Sequence, residues 1–288
     1  EIPKRDWSSD VCSSDLIKDT NKRTLNTDFF SHKYAMSYRF DNNNMLFINI
    51  SSGVHGGGFN SGSNKVHPTY DNEYTWNYEL GYKGTLLDNK LRINSSLFFI
   101  DWKNQQLLIV GDLSSPLQTI SNAGKTQIKG YELELSAILM EGLSLNMSLG
   151  IMDAKLTEYK FTDKLNGKDT LFDYSGNKLP FSPDINSNIS LKYEYPVQFL
   201  QTNGRVAVEL DYQYLSSYYC SHINLYKSDP RSIMNCKLGY YTTNWDLFLS
   251  VKNLADLRYV FATYEYRGGT NAYLGAPRTY GLNLVVKL

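Results

Sequence analysis

Period-two alternation of apolar and polar residues dominates the chain from Lys33 onward. Tyr34, Met36, Tyr38 and Phe40 alternate with Lys33, Ala35, Ser37 and Arg39. Asp41-Asn42-Asn43-Asn44 supplies a turn, and Leu46, Ile48 and Ile50 then alternate with Phe47, Asn49 and Ser51. Two such runs about a tight turn predict a β-hairpin with one apolar face. A glycine-rich loop is predicted from Ser52 to Glu73, before Tyr74, Trp76, Tyr78, Leu80 and Tyr82 resume the alternation. Asp88-Asn89 marks a second short turn into Leu91, Ile93, Leu97 and Phe99, and a long loop is expected over about Asp101 to Lys125. The cycle repeats with Tyr131, Leu133, Leu135 and Ala137, a turn at Glu141-Gly142, then Leu143, Leu145, Met147, Leu149 and Ile151. After a loop from about Met152 to Asn186 come Ile189, Leu191, Tyr193 and Tyr195, a turn at Asn203-Gly204, and Val206, Val208, Leu210, Tyr212 and Tyr214. Met234, Cys236, Leu238 and Tyr240 turn through Thr242-Thr243-Asn244 into Trp245, Leu247, Leu249 and Val251. A last loop ends at Pro277, and Tyr280, Leu282, Leu284, Val286 and Leu288 close the chain.

The reading is all-β, with about eleven antiparallel strands in which short turns alternate strictly with long loops. A soluble β-sandwich or a propeller also alternates, but neither needs all its short connections at one end. A transmembrane β-barrel does, with short periplasmic turns and longer extracellular loops. The strands reach the roughly 9–11 residues a bilayer crossing requires. Glu134, Arg205, Glu209, Asp211 and Lys287 occupy the second face, which a dry sandwich core could not accept unpaired. An odd number of antiparallel strands cannot close on itself. The expectation is therefore a curved sheet with two open edges, near Lys33–Phe40 and Arg278–Leu288, as in a fragment of a barrel.

Composition narrows the function classes. Twenty-nine Lys and Arg balance 29 Asp and Glu, so no polybasic nucleic-acid surface is expected. No apolar run is long enough for a membrane-spanning helix, whereas 23 Tyr in 288 residues suit a barrel with aromatic girdles. Asp6 to Leu16, DWSSDVCSSDL, reads as a translated sequencing-adapter string. Residues 1–16 are therefore expected to have no fold, with Trp7 and Leu16 unpacked, Cys12 carrying no biological information, and the natural start upstream. Residues 17–32 are assigned to a partial loop and 33–288 to the barrel portion. Cys220 and Cys236 fit no metal spacing, and a disulfide between them stays open. His32, His55, His67 and His222 lack any paired-ligand spacing, so no metal site and no cofactor are expected. An enzyme is not expected either: His222 has Asp229 nearby, but no nucleophile motif accompanies them.

Seven strings in order carry a resemblance. They are SSGVHGGGFN (Ser51 to Asn60), YELGYK (Tyr78 to Lys83), LFFIDWKNQ (Leu97 to Gln105), SNAGKTQIKGYELE (Ser121 to Glu134), LPFSPDINSN (Leu179 to Asn188), VKNLADLRY (Val251 to Tyr259) and GAPRTYGLNLVVKL (Gly275 to Leu288). In that sequence they resemble the strand and loop signatures of TonB-dependent outer-membrane receptors. The resemblance implies the C-terminal half of a barrel of about 22 strands in the outer membrane of a Gram-negative bacterium. It also implies energised uptake of a scarce nutrient such as an iron–siderophore complex, haem or cobalamin. The implied partners are outer-membrane lipid, a plug domain and first barrel half lying outside this chain, the TonB complex, and a metal chelate or similar small ligand. Leu288 departs from the aromatic that usually ends such chains.

Within that frame Glu132, Glu134, Arg205, Glu209 and Asp211 are expected to face the lumen and the plug, or simply water. Tyr218, Tyr219, His222, Tyr264, Tyr266 and Tyr273 are the candidate ligand contacts, flat aromatic surfaces with polar tips; the alternative is an upper aromatic girdle. Asn253 and Asp256 are expected to satisfy turn backbone groups. Arg278 is expected to pair with a loop carboxylate or to contact lipopolysaccharide. A passive porin-like channel is the competing function, and an outer-membrane barrel enzyme a third.

Overall fold

A computed structural model describes residues 29–60, 68–110, 118–165, 168–199, 202–266 and 269–287. All regular structure among them is β. In chain order the strands are β1 (Lys33–Arg39), β2 (Asn44–His55), β3 (Gly58–Phe59), β4 (Thr69–Tyr70), β5 (Glu73–Leu86), β6 (Leu91–Val110), β7 (Gln118–Met140) and β8 (Leu143–Leu165). They continue with β9 (Lys168–Asp173), β10 (Ile185–Phe199), β11 (Thr202–Leu215), β12 (Arg231–Thr242), β13 (Trp245–Lys252), β14 (Val260–Tyr266), β15 (Gly269–Leu274) and β16 (Thr279–Val286). One 12-stranded sheet follows the order β1-β2-β5-β6-β7-β8-β10-β11-β12-β13-β16, with β9 added to β8. Every ladder along this path is antiparallel. Eleven strands thus form the walk, and β1 and β16 stand at its two ends with no ladder between them among the described residues.

The short turns have local causes. Asp41 closes the first by accepting the Asn43 N–H at 2.7 Å and the Asn44 side-chain amide. Asp88 and Asn89 both take positive φ, 52° and 67°, and the Lys90 N–H bonds the Leu87 carbonyl. That twist matches the right-handed twist of β5 and β6. Gly142 sits at φ 77°, and a Cβ there would lie 2.2 Å from the Glu194 carbonyl oxygen, so the β7–β8 turn requires glycine on both counts.

Register carries one apolar face across the whole walk. Met36 pairs Ile48, Ile48 pairs Leu80, Leu80 pairs Leu97, and Leu97 pairs Tyr131. Farther on, Leu145 pairs Leu191, Leu191 pairs Leu210, and Leu210 pairs Cys236. Leu249 then pairs Leu282. Directly paired residues share a sheet face, so this is a single band. It is the more exposed face: Met36 is 69% and Leu282 73% exposed. Aqueous folding would bury such a band, and an exposed one of this size needs an apolar surround.

The opposite face is polar along its length. One row runs Ser144, Lys192, Glu209, Lys237, Ser250 and Gly281. Another runs Glu134, Ser148, Asn188 and Gln213. Glu132, Glu134, Arg205, Glu209 and Asp211 all lie on this one face by register. Its members partner one another, as in Arg205–Glu194 at 3.5 Å, Lys192–Glu194 at 2.8 Å and Lys287–Asp246 at 2.6 Å.

Several boundaries differ from expectation. β2 runs past Ser52 to His55, and the predicted loop at Asp101 to Lys125 is largely the paired outer ends of β6 and β7. The loop expected from Met152 likewise begins as 14 further residues of β8, with β9 folded back on it. The reason is common to all three. Beyond the apolar band both faces of a strand meet water, so the alternation that announces a strand disappears while backbone pairing persists. The turn expected at Asn203-Gly204 is also misplaced, because these residues pair Gln198 and Val197 within the ladder. The final loop contains the β14–β15 hairpin. Cys220 and Cys236 are both free, so no disulfide joins them. The expectations for residues 1–16, and for most of 17–32, fall outside the described residues.

Candidate functional site

All long connections leave the sheet at one end. There the loops knit together rather than standing apart. The segment before β10 bonds the β11–β12 loop through four contacts. The Asn177 side-chain amide donates to the His222 carbonyl (2.9 Å), and the Lys178 N–H donates to Asn224 Oδ1 (2.7 Å). Asn224 Nδ2 returns a bond to the Lys178 carbonyl (3.0 Å), and the Phe181 N–H reaches the Tyr219 carbonyl (2.9 Å). Asn224 holds this geometry at φ 60°, which asparagine tolerates. The same loop grips the β14–β15 hairpin. Val260 N–H donates to Asp229 Oδ2 at 2.7 Å, and Thr263 N–H approaches Cys220 Sγ at 3.3 Å.

The six aromatic candidates divide accordingly. Tyr218 is only 6% exposed, clusters with Cys220 and Ala262, and donates its hydroxyl to the Phe261 carbonyl at 2.8 Å. Its face is spent on packing, which corrects the expectation of an open contact surface. His222 lies edge-on to Tyr159 at 5.0 Å and to Tyr174 at 5.8 Å, and is likewise internal to the knot. Tyr219 carries the Lys227 ammonium 4.5 Å above its ring. Tyr264 and Tyr273 stack at 4.9 Å across the hairpin and stay exposed. Tyr266 lies on β14, and its side chain is outside the described residues. The structure therefore brings Tyr264 and Tyr273 together on the β14–β15 hairpin, packs Tyr218 against that hairpin, and packs His222 against Tyr159 and Tyr174.

Burial pushes the His222 imidazole below the usual histidine value. The packed loop thus resists a proton that the opened loop accepts. Packing is at full strength above about pH 6.5 and weakens as pH falls through the lowered value. Hydrogen exchange over residues 216–224, corrected for intrinsic rates, should show protection falling between pH 7.5 and pH 5. The His222→Phe variant should lose that dependence, and a persisting slope would exclude His222 as its source.

Some site residues had no signature in the sequence. Arg231 places its guanidinium 5.3–5.8 Å from the Tyr218, Tyr259 and Phe261 rings, within cation–π range. A single arginine at a strand start gives no hint of three rings drawn from distant segments. A second network joins the β2–β5 connection to the outer ends of β6 and β7. Gln106 Nε2 donates to the Gly56 and Asp71 carbonyls, Asn122 exchanges bonds with the Asp71 backbone, and Asn60 does so with Ile120. It has no signature in the sequence, because this region reads as loop.

The turn string Val251 to Tyr259 near the C-terminus is structural. Asn253 is 4% exposed at φ 52°, accepts the Leu257 N–H, and donates to the Leu257 and Ala276 carbonyls. Asp256 accepts the Arg278 N–H at 2.9 Å. Of the two partners expected for the Arg278 side chain, a loop carboxylate is not paired with it among the described residues. Its guanidinium reaches the Leu254 carbonyl at 3.3 Å, while the Asp256 carboxylate takes Arg258 instead.

An open antiparallel sheet with one apolar and one polar face, short turns at one end and knitted loops at the other, defines a segment of an outer-membrane β-barrel. The sequence matches the family "TonB dependent receptor-like, beta-barrel" over residues 5–254. The chain belongs to that family. Its members are transport receptors of the Gram-negative outer membrane, not enzymes. Among curated relatives, the chain is 23% identical over 256 residues to the probable TonB-dependent siderophore receptor PiuA of Acinetobacter baumannii, covering 86% of this chain and 33% of that protein. It is 27% identical over 216 residues to the pesticin receptor of Yersinia pestis, covering 73% and 28%. The fold is similar to that of the ferric yersiniabactin uptake receptor FyuA from Yersinia pestis, with a TM-score of 0.73 at 21% identity over 88% of this chain and 36% of that one. It is also similar to the crystal structure of PiuA, with a TM-score of 0.71 at 22% identity over 90% and 36%. The chain spans about a third of the length of these relatives.

Proposed function

We propose that this chain is the barrel wall and outer-loop portion of a receptor for energised uptake of a chelated nutrient, an iron–siderophore complex being the favoured class. The observation that carries the reading is the pairing of a continuous polar face with a knitted loop assembly at its outer end. A passive pore needs the first and gains nothing from the second. The relatives named as siderophore receptors support the ligand class. Glu132, Glu134, Arg205, Glu209 and Asp211 then face the lumen and the plug. Tyr264 and Tyr273, with Tyr219, offer the ligand-facing aromatic surface. Energy comes from the TonB complex through the part of the receptor outside this chain.

Residues 1–16 are best read as adapter-derived, and re-amplifying the locus from genomic DNA without ligated adapters should return no codons for Asp6 to Leu16. The uptake reading is tested with the intact receptor in cells lacking other iron receptors, supplied with a panel of radiolabelled ferric chelates. At least one chelate should accumulate only when the TonB complex is intact. Accumulation that persists without TonB would establish a passive pore instead.

A further inference from the structure

Arg231 opens β12 at its loop end, and period two puts it on the polar face of the sheet with Asn235 and Lys237. It is half-buried. Three rings surround its guanidinium: Phe261 at 5.3 Å, Tyr259 at 5.4 Å and Tyr218 at 5.8 Å. Each ring is fixed by contacts of its own segment. Tyr218 donates its hydroxyl to the Phe261 carbonyl at 2.8 Å and its N–H to Ser228 Oγ at 3.1 Å. Tyr259 lies against Gly275, where any side chain would overlap the ring. The start of β14, which carries Phe261, is tied to Asp229 through the Val260 N–H.

Rings stabilise a cation without neutralising it. Among the described residues Arg231 forms no ion pair, and its Nη1 is buried with no hydrogen-bond partner. Asp229 does not supply one, since its Oδ2 accepts the Val260 N–H at 2.7 Å. Lys227 repeats the pattern in the same loop: its ammonium rests 4.5 Å above the Tyr219 ring and forms no ion pair among the described residues. Two cations held by rings therefore stand beside one carboxylate committed to the backbone. A buried guanidinium nitrogen without an acceptor is costly, and so calls for a reason. A guanidinium in ring contact keeps its planar fork of N–H donors, which matches paired anionic oxygens.

We propose that Arg231 is the charge-selecting residue of the ligand site, and that the chelate this receptor takes is anionic, offering paired carboxylate or catecholate oxygens to the Arg231 donors. The proposal rests on the uptake reading and adds to it the charge class of the ligand. The cage explains why an arginine, rather than a lysine, stands at this strand start: only a planar cation both contacts several rings and presents a fork of donors.

Fluorescence quenching of the intact receptor in detergent tests this, with ferric citrate, ferric tris-catecholate and the neutral ferric tris-acetohydroxamate as probes. At least one anionic probe should bind about tenfold or more tightly than the neutral one, and which of the two binds identifies the oxygen donor. Arg231→Gln should weaken binding of that anionic probe about tenfold or more, and of the neutral probe less than about twofold. Arg231→Lys, which keeps the charge and loses the fork, should fall between. Heat-modifiable gel mobility confirms that each variant is folded. Equal affinity of the native receptor for the three probes, or no binding of either anionic one, overturns the proposal. So does a preference that survives in folded Arg231→Gln. Failure of the uptake reading shows separately, as chelate accumulation in cells that lack TonB.

Discussion

Replacing Leu210 by arginine should nearly abolish assembly of the receptor into the outer membrane, while Glu209→Gln should leave surface yield close to native. Leu210 lies in the apolar band between Leu191 and Cys236, and Glu209 lies on the opposite face between Lys192 and Lys237. An arginine on the lipid face costs about 2–4 kcal/mol near the midplane and less toward the interfaces. That is a large fraction of the margin by which folded chains exceed their unfolded alternatives. Glu209→Gln removes one charge from a wet face where, among the described residues, Glu209 forms no ion pair, so the expected effect is about a few tenths of a kcal/mol at most. Surface immunoblotting with protease protection reads both. Equal yields would reverse the face assignment.

The second large effect is expected at Asn253. Asn253→Ala strips one acceptor and two donors from a buried turn, leaving the Leu257 N–H and the Leu257 and Ala276 carbonyls unmatched. Each buried polar group left without a partner costs about 1–3 kcal/mol. Alanine is also strained at the φ of 52° that asparagine accepts. The loss should be about 3 kcal/mol or more, read as a lower denaturation midpoint of the receptor in lipid vesicles. Asn253→Asp, which keeps the acceptor, should fall between the two. A midpoint unchanged in Asn253→Ala would show that the turn does not hold the β13–β16 connection together.

Much of the membrane-level architecture is legible because bilayer burial imposes period two on every strand. The runs Leu143 to Ile151 and Val206 to Tyr214 announce both their strands and their faces. The short turns are equally legible, since Asp41, Asn89 and Gly142 supply side-chain bonds or positive φ that few other residues can. Legibility stops at the outer rim. Gln106, Asn122 and Asn60 make their bonds to backbone groups up to 60 residues away, and no local pattern records that. The aromatic candidates show the same limit. Tyr218 and Tyr264 are indistinguishable as tyrosines in polar loops, yet one is packed beneath the hairpin and the other stacks on its surface. Only the fold of the three loops upon one another separates them.

The face assignment underlies the membrane reading, and spin labels placed singly at residues 206 to 212 in the receptor, reconstituted in lipid vesicles, test it most directly. Collision with oxygen should peak at 206, 208, 210 and 212, and collision with a water-soluble nickel chelate should peak at 207, 209 and 211. That alternation follows if Val206, Val208, Leu210 and Tyr212 meet lipid and Ala207, Glu209 and Asp211 meet water. Uniform nickel accessibility at all seven positions, or an oxygen maximum on the odd-numbered set, would contradict a membrane-spanning wall with this orientation.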